Sequence, residues 1–78
     1  MPRYFFNVHD GISIEDHQGT EFDTIDEAKS HALRVSATML TAHPKTFWNG
    51  EQWEMSVCDS NRVFVFGLLF TGLSPRDS

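Results

Sequence analysis

One stretch of the chain carries a helical period, and strand-type sequence lies on both sides of it. From Ile25 the apolar positions Ile25, Ala28, Ala32, Val35 and Met39 recur at spacings of three and four, with Leu33 and Leu40 widening the stripe. Thr24 stands where its hydroxyl can cap the first N–H groups, and Glu27, three residues on, can complete a capping box. Asp26 and Glu27 suit the positive end of the helix dipole. Pro44 holds His43 away from helical angles, so the spacing predicts a helix over about 25–42. A lone helix can cover one face of a sheet and no more, which sets the question for everything around it.

Upstream, Arg3 to His9 (RYFFNVH) is aromatic and β-branched. Alternation puts Tyr4, Phe6 and Val8 on one face and Arg3, Phe5, Asn7 and His9 on the other. Asp10-Gly11 is a hairpin signal, because glycine accepts the positive φ of a tight turn. A short return strand, ISIED, then runs into the polar loop HQGTE. Downstream, Asn49-Gly50 marks a turn, and Trp53, Met55 and Val57 alternate with Gln52, Glu54, Ser56 and Cys58. Asp59-Ser60-Asn61 supplies turn chemistry before a last strand, Arg62 to Phe70, apolar on both faces. The reading is a single α+β domain over 1–72, β-β-α-β-β, with a frayed tail at 73–78. A right-handed crossover gives a four-stranded antiparallel sheet in the order 2-1-3-4. That order leaves the most apolar strand at an edge, an arrangement that invites self-association. Either this strand inserts beside the first one instead, or another chain covers it.

The aromatic surplus sharpens the point. With one helix, Phe5 and either Val63, Val65 and Leu69 or Phe64, Phe66 and Phe70 lie on the uncovered side. Exposed apolar patches of that kind mark interfaces; the bland alternative closes both faces internally with loop residues such as Phe47 and Trp48. The reading adopted is a homodimer, with Phe5, Phe64, Phe66 and Phe70 as anchors on the helix-free face and the last-strand edge.

Charge narrows the partners. Of 11 carboxylates, seven (Asp10, Glu15, Asp16, Glu21, Asp23, Asp26 and Glu27) fall between Asp10 and Glu27 with no Lys or Arg among them, in a chain of net charge −5. Asp10, Glu15, Asp16, Glu21 and Asp23 form a candidate surface for a basic protein, or else a solvated loop. The six basic residues are scattered, so direct nucleic-acid binding is not expected. His9, His17, His31 and His43 lack zinc-ligand spacing, and Cys58 is the sole cysteine, without a base or orienting partner. No catalytic residue, metal or cofactor is expected. Aromatics mixed with Asn7, His9 and Asp10 are not a signal-peptide core, and Val63 to Phe70 is too short to span a bilayer as a helix. The expectation is a cytoplasmic protein without membrane contact.

Two resemblances bear on this reading. MPRYFFNVHDG, GTEFDTIDEA, FWNGEQWEMSV and VFVFGLLF resemble a family of short bacterial proteins known only as a domain of unknown function, opening M-P-R-Y-F-F-x-V-x-D-G and continuing D-x-x-G-T-E. That resemblance implies a stand-alone domain and brings no established activity with it. More coarsely, Thr24-Ile25-Asp26-Glu27-Ala28 after a hairpin is similar to the HicB-type antitoxins, which implies pairing with a small basic protein. Pro2 before a strand is superficially similar to the small tautomerases, whose N-terminal proline amine acts as a base; there, however, the chain runs strand-helix-strand.

Overall fold

The structure is a computed structural model and describes residues 2–50 and 52–73. Most of the expected tail, residues 74–78, lies outside the described residues; Leu73 is in no regular element and is 86% exposed. Among the described residues seven elements follow one another: β1 (Arg3–His9), β2 (Ser13–Ile14), β3 (Thr20–Glu21), α1 (Ile25–Ala42), α2 (Pro44–Asn49), β4 (Trp53–Cys58) and β5 (Phe64–Phe70).

The strands form one antiparallel sheet in the order β2-β1-β4-β5, with β3 also pairing β1. This is the expected 2-1-3-4 order, with one addition. The outer neighbour of β1 is a strand in two pieces: β2 pairs Val8 and His9, while β3 pairs Arg3 and Tyr4. Between the pieces a side chain replaces the ladder. Asp16 Oδ2 accepts the Phe6 N–H at 3.1 Å, and the Asp16 N–H donates to Asn7 Oδ1 at 2.9 Å. The expected return strand ISIED is therefore cut to two residues, because at Asp16 the side chains of Asp16 and Asn7 take the place of backbone-to-backbone pairing.

Helix α1 has the expected bounds and the full capping box, with Thr24 Oγ1 accepting from Glu27 N–H and Glu27 Oε1 accepting from Thr24 N–H. Its buried line is Ala28, Ala32 and Ser36, small residues at four-residue spacing that bring the helix close to the sheet. Ser36 is fully buried and its hydroxyl meets Met55 Sδ at 3.8 Å. Tyr4, Val8, Trp53, Met55 and Val57 complete the core beneath it. Burying each of the large ones stabilises the fold by roughly 1.5–3 kcal/mol. His31 is half-buried, its ring 5.0 Å from Phe6 and 5.1 Å from Phe22, and so belongs to an aromatic cluster on the β1 side.

Two further expectations need correction. Asn49-Gly50 is not a free-standing turn: Pro44–Asn49 forms a short second helix with proline in its first turn, where a missing N–H costs nothing. Gly50 caps it, its N–H shared between the Phe47 and Thr46 carbonyls. Leu33, expected to widen the core stripe, is 55% exposed. It follows Lys29 by one turn, and Lys29 reaches over the Phe66 ring, so Leu33 lies on the flank of α1 that faces β5.

Candidate functional site

The helix-free face of the sheet is ordered by the strand register. Three rows cross it: Phe5, Cys58 and Phe64; Asn7, Ser56 and Gly67; His9, Glu54 and Leu69. The middle of this face is polar, and its apolar side chains gather toward β5, where Phe64 is 64% and Leu69 60% exposed, with Val63 beside them at 55%.

Of the four aromatic anchors, the structure leaves Phe5 and Phe64 on this face and puts Phe66 and Phe70 on the other. A register shift between Val57 and Cys58 is the reason. Cys58 pairs with Phe64 and Val57 with Phe66, so Val65 is an extra residue and the two-residue alternation breaks there. Neither expected set, Val63, Val65 and Leu69 or Phe64, Phe66 and Phe70, stays together. Phe66, Leu68 and Phe70 turn toward the helices, and all three are half-buried against the core. Phe5 is also half-buried: the Arg62 guanidinium lies 4.6 Å from its ring centre. Gly19 also packs close to it, since a Cβ there would stand 2.9 Å from the ring. Phe64 is thus the exposed aromatic of the set, its ring lying over Gly67.

Which backbone groups of β5 face outward follows from one bond. The Phe6 N–H points to Asp16, away from β4, so Phe6 faces Val57 as a non-hydrogen-bonded pair. Alternation then gives Val57, Met55 and Trp53 their bonds on the β5 side, to Phe66, Leu68 and Phe70. The N–H and C=O groups of Gly67 and Leu69 therefore point out of the sheet, where no strand lies among the described residues. Val63 to Leu73 contains no charged residue and no proline, the usual guards of an edge.

The opposite edge is acidic, but its carboxylates are not equally free. Asp16 is spent inside the fold: besides Phe6 N–H, its carboxylate accepts Gln18 N–H and Gly19 N–H, each at 3.0 Å. Burial pushes the Asp16 carboxyl up, yet those three N–H groups and the neighbouring His17 outweigh it, and the net displacement is downward. Glu21 pairs with Arg3 at 3.2 Å. Glu15 and Asp23 are exposed, and Asp10 is half-exposed at the hairpin turn. In the sequence these residues form one acidic surface; in the structure Asp16 is a fastener instead.

A shallow depression of about 570 Å³ beside this hairpin is lined by Asn7, His9, Ser13, Glu15, His17 and Glu54, among others. His9 Nδ1 and Ser13 Oγ are 3.0 Å apart, and His17 Nε2 lies 3.7 Å from Glu15. Among the described residues, no three His, Cys, Asp or Glu side chains are grouped to hold a metal ion. Cys58 is half-buried, 3.8 Å from the Asn7 amide. Pro2 is exposed, and its carbonyl accepts the Phe22 N–H at 3.1 Å, which ties it to the sheet. No described helix is long and apolar enough to cross a membrane.

A family described as a domain of unknown function (DUF6894) matches residues 3–71. No curated protein and no solved structure matches the chain.

Proposed function

The chain belongs to the DUF6894 family of unknown function, and from its geometry we propose that it is a non-catalytic protein–protein contact domain that associates with itself along β5 and the adjoining strip of the helix-free face. The observation that carries this reading is the β5 edge: seven uncharged residues with outward N–H and C=O groups at Gly67 and Leu69, among them exposed Phe64 and Leu69, with exposed Val63 just before. Phe64 alone leaves roughly 100 Å² of ring and backbone in water. At a net charge of −5, two copies repel wherever acidic residues meet. The β2/β3 edge, where Glu15 and Asp23 are exposed, opposes self-pairing, and the β5 edge does not.

Sedimentation of Leu69→Lys beside Glu15→Lys, at low and high salt, tests the proposal. Wild type and Glu15→Lys should both sediment as dimers at either salt, whereas Leu69→Lys should be monomeric. A dimer indifferent to Leu69→Lys, or one that forms only at low salt, overturns it.

Exposed Glu15 and Asp23 favour a second reading, a HicB-like module that captures a basic protein on the hairpin side. It predicts binding that weakens steeply with salt and is abolished by Glu15→Lys.

A further inference from the structure

Resting on that self-association, we infer that the second copy joins through an antiparallel β5–β5 pairing about a two-fold axis that passes Gly67, making one sheet continuous across both chains. Three features point to this seam. The outward groups of Gly67 and Leu69 are a hydrogen-bonding register awaiting a partner strand. Gly67 is the midpoint of Phe64–Phe70, so a two-fold there overlaps the whole strand, and like meets like without a side chain at the axis on the open face. Charge selects the occupant as well: a second copy finds no like charge along this edge, while the other edge of the sheet is acidic.

The pairing has definite consequences. Gly67 faces Gly67 of the second copy, Leu69 faces its Val65, and Phe66 faces its Leu68 on the helix side. A two-fold perpendicular to the sheet keeps both α1 helices on one face. Helix α1 touches Phe6 of β1, Met55 of β4 and Phe66 of β5, so it is centred near β4. From β4 through both β5 strands to the second β4 is three strand spacings, about 14 Å. That exceeds the 8–10 Å of helices in contact. The exposed Leu33 of each copy stands on the flank that borders this gap, above the paired Phe66 and Leu68 residues. The half-burial of Phe66, Leu68 and Phe70 and the exposure of Leu33 thus share one explanation.

Amide hydrogen exchange on the intact chain, followed by NMR above and below the association concentration, tests the seam. The Gly67 and Leu69 amides should slow by about 100-fold or more as the dimer fills, reaching the protection of Leu68. In a mixture of labelled and unlabelled chains, isotope-filtered NOEs should connect Phe66 of one copy to Leu68 of the other. Leu69→Pro removes an N–H that the single chain does not use; losing it twice by symmetry should raise the dissociation constant about 100-fold. A dimer in which Gly67 and Leu69 still exchange freely overturns the seam while leaving self-association standing. A chain monomeric at every concentration overturns both.

Discussion

Removing the Asp16 carboxylate should loosen the first hairpin from the sheet. In Asp16→Ala the Phe6 N–H, part-buried in mid-strand, loses its acceptor, and the N–H groups of Gln18 and Gly19 lose theirs. Leaving the first unpaired costs about 1–3 kcal/mol; the other two, nearer solvent, cost about 0.5 kcal/mol each. The sum, about 2–4 kcal/mol, is a large part of the ~4–12 kcal/mol expected of a domain this size. Thermal unfolding should therefore fall by about 10–25 °C. Asp16→Asn keeps one carbonyl oxygen, which can serve either Phe6 or the Gln18–Gly19 pair but not both, so about half the loss should appear. The pH dependence has a fixed sign. Asp16 is displaced downward from its ordinary value of 3.8, so its extra stability is present above that value and disappears as pH falls through the lower folded one. Chemical denaturation of wild type and Asp16→Asn should show a gap that is constant near neutrality and closes in that acid window. An Asp16→Ala variant within about 0.5 kcal/mol of wild type, or a gap that widens on acidification, would refute the fastener role.

Other expectations concern single positions. Gly19→Ala and Gly11→Ala both force an L side chain to positive φ, +74° and +86°. Only Gly19 also meets Arg3 and Phe5 at 2.9 Å, so its variant should lose about 1–3 kcal/mol and Gly11→Ala about 1 kcal/mol in the same denaturation assay. Thr24→Ala removes the helix cap and should cost about 1 kcal/mol, seen as a lower denaturation midpoint at unchanged slope. Arg62 sits at φ +65° while its guanidinium covers Phe5. Arg62→Ala should lose the ring contact, about 0.5–1 kcal/mol, whereas Arg62→Gly also relieves the backbone and should come out near wild type.

The sequence makes some of these features plain and hides others for identifiable reasons. Helix α1, its capping box and the turns at Gly11 and Asp59 are local, and local chemistry is what a sequence displays. Asp59 Oδ1 accepts from both Asn61 N–H and Val63 N–H, as its turn signal implies. The sheet order follows from connection length and handedness and was equally accessible. The face of each β5 residue was not, because a single bulge at Val65 reverses the alternation between Phe64 and Phe66. Nor could residue type show that Asp16 would occupy a place in the ladder while Glu15 and Asp23 stay in solvent. Helix α2 was obscured by Pro44, which ends one helix and begins the next.

The most direct test of self-association is the solution mass of the wild-type chain by light scattering, across a dilution series at low and high salt. The account predicts twice the chain mass at both ionic strengths, falling to one chain only on strong dilution. A single-chain mass throughout would contradict it, and Phe64, Leu69 and the outward groups of β5 would then require a different partner.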